Sequence, residues 1–226
     1  MSLFKEEHLE CLKCHKQVPF ILHSSINVGM DPQDKEKVLD LSIFQYHCPH
    51  CGATDIACYP VLYHDPEQGI MIQVLWREED FGQPMEKDLR DLIEIMGQKH
   101  YRRREVFGYW ELVEKIRIFD AGLDDFAIAL IKSLNKIQQP EVQLFFDKKE
   151  DKQLKFLQYQ NGAMLSEGVS FEEQAYEIAL NLAGQWKKPH AFYENLRVDE
   201  SYFYNDIVNA VRQENQLRRK FTRQKY

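Results

Sequence analysis

Four of the five cysteines in this 226-residue chain form two Cys-x-x-Cys pairs in its first quarter. The pairs are Cys11–Cys14 and Cys48–Cys51, separated by 33 residues, and no cysteine follows Cys58. One such turn lets two thiolates converge on an ion, and two turns supply the four ligands of a closed tetrahedral zinc site. The spacing therefore predicts one structural zinc ion per chain, with Cys11, Cys14, Cys48 and Cys51 as its ligands.

Three other chemistries could use the same cysteines. Iron is also bound by paired Cys-x-x-Cys turns, and sequence alone separates it poorly from zinc. The run Cys11-Leu-Lys-Cys14-His15 matches the C-x-x-C-H motif of covalent haem, which would leave the second pair unexplained. Thioredoxin-type redox chemistry requires a pair that opens a helix, whereas strand-like sequence follows both pairs. Zinc is the interpretation that the pattern favours.

Three histidines and a fifth cysteine near the pairs could also take part in the site. His15, His47 and His50 neighbour the cysteines, but four thiolates already satisfy an ion. We therefore expect these histidines to be exposed or to support the ligands, with direct ligation as the open alternative. Cys58 lies in an apolar segment and is expected to be a small buried hydrophobic residue.

Composition limits the class of protein. The chain is 44% hydrophobic with a net charge of -7, which suits a packed globular core. No apolar run approaches the ~20 residues of a membrane span. The N-terminal sequence has no apolar signal-peptide core. We predict a cytoplasmic globular protein without membrane contact.

The hydrophobic pattern changes from strand-like to helical near Asp80. We predict an α+β fold with a zinc-ribbon-like β unit over residues 1–82, followed by a mainly helical region with a β-hairpin over residues 83–226. The helices are predicted at about 85–96, 108–120, 124–137, 171–187 and 200–222, and the hairpin at about 141–159.

Local signals mark the ends of three of these helices. Gly122 is a C-cap residue for the helix over 108–120, and Asp124 or Asp125 can cap the next helix. The run Ser170-Phe171-Glu172-Glu173 has capping-box spacing and predicts the start of the helix over 171–187. Its periodicity predicts a buried face formed by Phe171, Ala175, Ile178 and Leu182, which can extend to Trp186.

Two basic segments, 99–104 and 218–225, stand out from the acidic remainder of the chain, and both contain aromatic residues. Positive charge combined with stacking side chains suits single-stranded nucleic acid, although the acidic body opposes this interpretation. The other interpretation is a solvated loop and a solvated helix end. The candidate nucleic-acid contacts are Arg102, Arg103, Arg104, Arg218, Arg219 and Lys220.

Three runs of the N-terminal sequence are similar to the CpXC family. They are Cys11-x-x-Cys14 with Ser25-Ile26-Asn27-Val28, Phe44-x-x-x-Cys48-Pro-x-Cys51-Gly52, and Tyr59-Pro60-x-Leu62-Tyr63-His64-Asp65. The resemblance covers about the first 80 residues well and extends more weakly to about residue 135. It implies a zinc-ribbon-like domain with no established activity. Leu12 stands where proline is usual in the family, which affects the rigidity of the first turn.

The sequence contains no recognisable catalytic motif, so no catalytic residue is assigned. The leading hypothesis is a zinc-stabilised, non-enzymatic binding or regulatory module with a protein partner. A nucleic-acid-binding protein is the second hypothesis. The third is an enzyme, for which His64, Asp65, Asp124 and Asp125 would be the first residues to test. The oligomeric state stays open.

Overall fold

The computed structural model describes residues 3–82, 101–186 and 197–209. The chain divides into two compact units, the first built mainly from residues up to Ile116 and the second mainly from Arg117 onward. The predicted boundary after residue 82 falls at the edge of a segment outside the described residues, and it stays a prediction. Among the described residues, no helix has the length and apolar character that a membrane span requires.

The first unit contains a mixed five-stranded sheet in the order β1-β2-β5-β6-β7. The pairs β1/β2 and β5/β6 are antiparallel, whereas β2/β5 and β6/β7 are parallel. A separate two-stranded antiparallel sheet is formed by β3 and β4. The strands are β1 (Leu3–Glu10), β2 (Gln17–Asn27), β3 (Gln45–His47), β4 (Thr54–Ile56), β5 (Val61–Asp65), β6 (Ile70–Leu75) and β7 (Arg102–Phe107).

The core of this unit is formed by apolar residues at alternate positions of the central strands β5 and β6. Val61 and Tyr63 of β5 are buried, and their register partners on β6 are the buried Val74 and Ile72. Residues at every second position share one face of a sheet, so these four side chains pack on the same side. A short helix, α1 (Asp34–Leu39), and a 3₁₀ turn at Ser42–Phe44 connect β2 to β3.

The second unit combines an antiparallel four-stranded sheet with helices. The strands are β8 (Val142–Glu150), β9 (Gln153–Gln160), β10 (Ala163–Met164) and β11 (Val169–Glu172), and β9 pairs with the other three. Its buried side chains include Leu144, Phe146, Leu154 and Phe156. Among the described residues, the longer helices are α2 (Gly108–Asp120), most of which belongs to the first unit, and α3 (Asp125–Gln138) and α4 (Glu173–Trp186) of the second unit.

The predicted α+β class is confirmed, with the clustered cysteines in the N-terminal part and helices and a hairpin later in the chain. Helix α2 is followed by Gly122 at φ 68°, a left-handed conformation that glycine adopts without steric cost. Helix α3 is capped by Asp124, which accepts hydrogen bonds from the backbone N–H groups of Phe126 and Ala127. The helix predicted over 85–96 and most of that over 200–222 lie outside the described residues; residues 204–209 are helical.

The prediction for the start and buried face of the helix over 171–187 is wrong. Ser170 and Phe171 lie in β11, which pairs with β9, and α4 begins only at Glu173. The buried face of α4 consists of Tyr176, Ala179 and Ala183, whereas Ile178 is 58% exposed. The small alanines allow α4 to approach the neighbouring helix α3 closely, which places the larger aliphatic side chain outward.

Candidate metal centre

The first Cys-x-x-Cys turn lies at the tip of the β1–β2 hairpin. The backbone N–H of Cys11 donates to Lys16 O at 3.0 Å, and the N–H of His15 donates back to Cys11 O at 2.8 Å. His15 has a φ of 59°, so the chain reverses through a left-handed residue directly after Cys14. The hairpin therefore turns both cysteine side chains of the pair toward the same side.

The second turn repeats this geometry at the tip of the β3–β4 hairpin. The N–H of Cys48 donates to Ala53 O at 2.8 Å, and the N–H of Gly52 donates to Cys48 O at 2.9 Å. Gly52 has a φ of 70° and occupies the position that corresponds to His15. The two turns thus have matching hydrogen-bond patterns, although their sequences differ at the left-handed residue.

The two turns bring all four thiols together. Cys11 Sγ lies 3.7 Å from Cys51 Sγ, and Cys14 Sγ lies 3.6 Å from Cys48 Sγ. All four sulfurs lie within 4.8 Å of one another. Both short contacts join one turn to the other, and each pairs a fully buried thiol with a half-buried one. Among the residues that the structure describes, this is the only such group of potential metal ligands.

The sulfur spacing fits a tetrahedral metal site. Metal–sulfur bonds of about 2.3 Å in a regular tetrahedron give sulfur–sulfur edges of about 3.8 Å. The two short contacts are close to that value, and they exceed the ~2.05 Å of a disulfide bond. All four cysteines are free thiols. The donor set and its geometry are therefore those that a thiophilic cation requires.

The thiols differ in acidity within this cluster. Hydrogen bonding from the backbone N–H of Cys14 lowers the pKa of Cys11 to about 6. The backbone N–H of Lys16 also favours the Cys14 thiolate, but burial and the three neighbouring sulfurs prevail and raise the pKa of Cys14 to about 12. Several thiolates cannot accumulate at this spacing without a compensating positive charge. A bound cation would supply that charge and displace the remaining protons.

The three neighbouring histidines lie outside the cluster. His15 is exposed, and its Nδ1 lies 2.7 Å from Glu10 Oε1. His47 Nδ1 lies 3.2 Å from Thr54 Oγ1, and His50 is exposed. The structure therefore places the histidines at the surface and assigns no histidine to the group of four potential ligands. The expectation for Cys58 is wrong, because that residue is exposed.

Tyr46 contacts the first cysteine turn, and no motif in the sequence predicts that contact. It lies in β3, two residues before Cys48, and is only 6% exposed. The backbone N–H of Leu12 donates to its Oη at 3.3 Å. The N–H of Leu12 favours a lower pKa for Tyr46, but burial and the neighbouring Cys11 and Asp55 outweigh it and raise that pKa above its ordinary value. One sequence signal could have indicated this contact: Tyr46 is an aromatic residue at an inward-facing position of the strand that leads into a Cys-x-x-Cys turn.

The described arginines of the basic segments lie in β7 rather than in a loop. Arg103 and Arg104 are buried, with exposures of 3% and 8%, and Arg102 is half-buried. The expectation of a solvated loop over 99–104 is therefore wrong for this stretch. The other predicted nucleic-acid contacts, Arg218, Arg219 and Lys220, lie outside the described residues.

The residues named for an enzymatic alternative have structural partners. His64 Nε2 lies 2.8 Å from Tyr101 Oη in the first unit. The buried Asp65 accepts a hydrogen bond from the N–H of Gln68 and lies 3.5 Å from Lys35 Nζ. In the second unit, Asp124 caps α3 and Asp125 is buried at the first position of that helix.

Matching hairpin turns, four converging thiols and an α+β fold define a protein with a candidate four-cysteine metal centre. The family model described as CpXC protein matches residues 9–132, which is more than half of the chain, and the chain belongs to this family. The matched region contains both cysteine pairs. The comparison with curated proteins and the comparison with solved structures gave no match.

Proposed function

We propose that the four cysteines hold one structural zinc ion. The observation that carries this proposal is the convergence of four free thiols at tetrahedral spacing from two hairpin turns. Four sulfur ligands suit zinc, and a site with no open coordination position cannot bind a water molecule for hydrolysis. When bound, the ion would link the β1–β2 hairpin to the β3–β4 hairpin.

We further propose that the protein is a non-enzymatic binding or regulatory module whose partner is a protein. The closed donor set supports a structural role for the ion rather than a catalytic one. Exposed apolar side chains on described elements support a protein partner, since such side chains gain by burial in an interface. They include Phe4 in β1 and Ile178 and Leu180 in α4, which are 65%, 58% and 41% exposed.

Substitution of a buried cysteine tests the zinc proposal. Cys11→Ser and Cys48→Ser each remove a fully buried sulfur, so both variants should retain less than one zinc per chain. Because the free energy of binding a structural metal contributes to folding, each substitution should lower the free energy of unfolding by about 3 kcal/mol or more. Metal content and denaturant unfolding would be measured on the same preparations.

Cys58→Ser is the matched control, because Cys58 is exposed and lies outside the cluster. It should keep one zinc and change the free energy of unfolding by less than about 0.5 kcal/mol. Full metal retention and unchanged stability in both Cys11→Ser and Cys48→Ser would contradict the proposal.

A further inference from the structure

Tyr46 connects the two cysteine turns through its hydroxyl group. Its backbone belongs to β3, the strand that leads into the second turn, while its Oη accepts a hydrogen bond from Leu12 N–H of the first turn at 3.3 Å. The side chain is almost fully buried, with 6% exposure. A residue of one hairpin thus contacts the backbone of the other at the position between its two cysteines.

The hydroxyl still has a proton to donate. A phenol oxygen that accepts from Leu12 N–H keeps its own O–H as a donor, and buried polar hydrogens are rarely left without an acceptor. Cys11, whose sulfur is fully buried, directly precedes Leu12 in the chain and is the candidate acceptor for this proton. A thiolate bound to a metal keeps enough negative charge to accept such a hydrogen bond, and partners of this kind orient the ligand.

The residue type at position 12 permits this arrangement. Proline has no backbone N–H, and it occupies the corresponding position of the second turn as Pro49. Leu12 provides the N–H that Tyr46 accepts, while its side chain is 72% exposed. The backbone donor, rather than the leucine side chain, is therefore the feature of position 12 that contributes to the cluster.

We propose that Tyr46 is a positioning residue of the metal centre, which accepts a hydrogen bond from Leu12 N–H and donates one to the Cys11 thiolate. The hydroxyl holds the first turn in its metal-binding conformation and slows dissociation of Cys11 from the ion. This inference rests on the proposed function, because it concerns the metal-bound form of the four-cysteine site.

Tyr46→Phe tests the inference, with Zn²⁺ and Co²⁺ alone as probes. Loss of a partner outside the ligand shell weakens metal binding by roughly 10- to 100-fold. Transfer of Zn²⁺ from the variant to a chromophoric chelator should accordingly be about tenfold faster or more. In the Co²⁺-substituted protein, the sulfur-to-metal charge-transfer band should move to lower energy, because the Cys11 sulfur loses a hydrogen bond that withdraws electron density from it.

Three control variants separate this effect from loss of stability. Tyr59→Phe removes another buried hydroxyl of the first unit, whose contact is the N–H of His23. It should leave the charge-transfer band unchanged. Leu12→Pro removes the N–H donor, whereas Leu12→Ala keeps it, so only the proline variant should accelerate zinc transfer. In the Tyr46→Phe background, Leu12→Pro should have a smaller effect than in the wild type, because the bond is already lost.

The outcomes distinguish this inference from the proposed function. A wild-type protein that binds neither Zn²⁺ nor Co²⁺ overturns both. A wild-type protein that binds both metals, with a band and transfer rate that Tyr46→Phe does not alter, overturns the role of Tyr46 alone. If Tyr46→Phe does not fold, Leu12→Pro decides the matter: a transfer rate equal to that of Leu12→Ala contradicts the inference.

Discussion

At the level of single residues, His64 links burial to the pH dependence of stability. The side chain is half-buried, and its Nε2 lies 2.8 Å from Tyr101 Oη. Burial lowers the pKa of His64 below its ordinary value of 6.5, because the protonated form loses hydration. Burial lowers the pKa of His23 in the same way. The folded chain therefore binds fewer protons than the unfolded chain just below neutral pH.

This difference in bound protons determines whether the free energy of unfolding rises or falls with pH. The unfolded histidine takes up its proton as the pH falls through about 6.5, whereas the folded one resists protonation. The free energy of unfolding should therefore fall between pH 7.5 and 5.5. His64→Gln should show a shallower fall than the wild type over this range, as measured by urea unfolding at each pH. An equally steep dependence in the variant would contradict the role assigned to His64.

The sequence was sufficient to predict which four cysteines lie together, but not that Tyr46 contacts the first cysteine turn. Cysteine spacing identifies candidate ligands directly, because a four-thiolate site requires those residues at that separation. The contact of Tyr46 with Leu12 joins residues 34 positions apart, and it depends on how two hairpins meet. The sequence also did not predict that Cys58 is exposed, since apolar neighbours in the sequence do not establish burial in the fold.

At the level of elements, β7 shows how charged residues can be buried in an edge strand. The strand pairs in parallel with β6, and Arg103, Arg104 and Glu105 are all buried within it. Glu105 accepts a hydrogen bond from the N–H of Gly82, and Arg104 donates to the carbonyl of Arg103. Buried charges persist only where such partners compensate the lost hydration. The stretch therefore serves the fold of the first unit.

Substitution within β7 tests this structural role. Arg103→Ala and Arg104→Ala should each lower the free energy of unfolding by roughly 2–4 kcal/mol, since each removes a buried side chain from the first unit. Arg102→Ala is the matched control from the same strand, where the half-buried side chain should cost about 1 kcal/mol or less. Urea unfolding measures all three. Unchanged stability together with weaker binding to single-stranded nucleic acid would instead support the nucleic-acid hypothesis.

Elements with strong local signals were predictable, and those defined by tertiary pairing were not. Asp124 and Gly122 mark helix ends through hydrogen bonding and backbone conformation that operate within a few residues. Strand β7 contains charges instead of alternating apolar residues, so its pattern gave no strand signal. Helix α4 has aliphatic residues on one face and alanines on another, and its packing selected the alanine face.

At the level of the whole molecule, the two units differ in what could stabilise them. The β3–β4 sheet has two strands of three residues each, and so small a hairpin is marginal in water without further support. The β8–β9 hairpin has strands of nine and eight residues and belongs to a four-stranded sheet with a buried aromatic pair. A metal ion would therefore add most stability at the β3–β4 hairpin, where packing of the chain adds least.

Metal removal should accordingly destabilise the β3–β4 hairpin and leave the β8–β9 hairpin unchanged. After treatment with a chelator, the amides of Cys48 and Gly52 and of strands β3 and β4 should exchange with solvent much faster, because the turn loses its central constraint. The amides of β8 and β9 serve as the internal control and should keep their protection. Hydrogen exchange with mass spectrometry would resolve the two regions, and equal protection of β3 and β4 before and after chelation would be evidence against a structural metal.

The most direct measurement of the central claim is elemental analysis of the protein purified without added metal, together with its absorption spectrum. The account predicts one zinc per chain and no absorption in the visible range, because four thiolates close the coordination shell of a colourless ion. Stoichiometric iron with a red colour would contradict it and indicate an electron carrier. Absence of any metal would leave four free thiols and direct attention to thiol–disulfide chemistry.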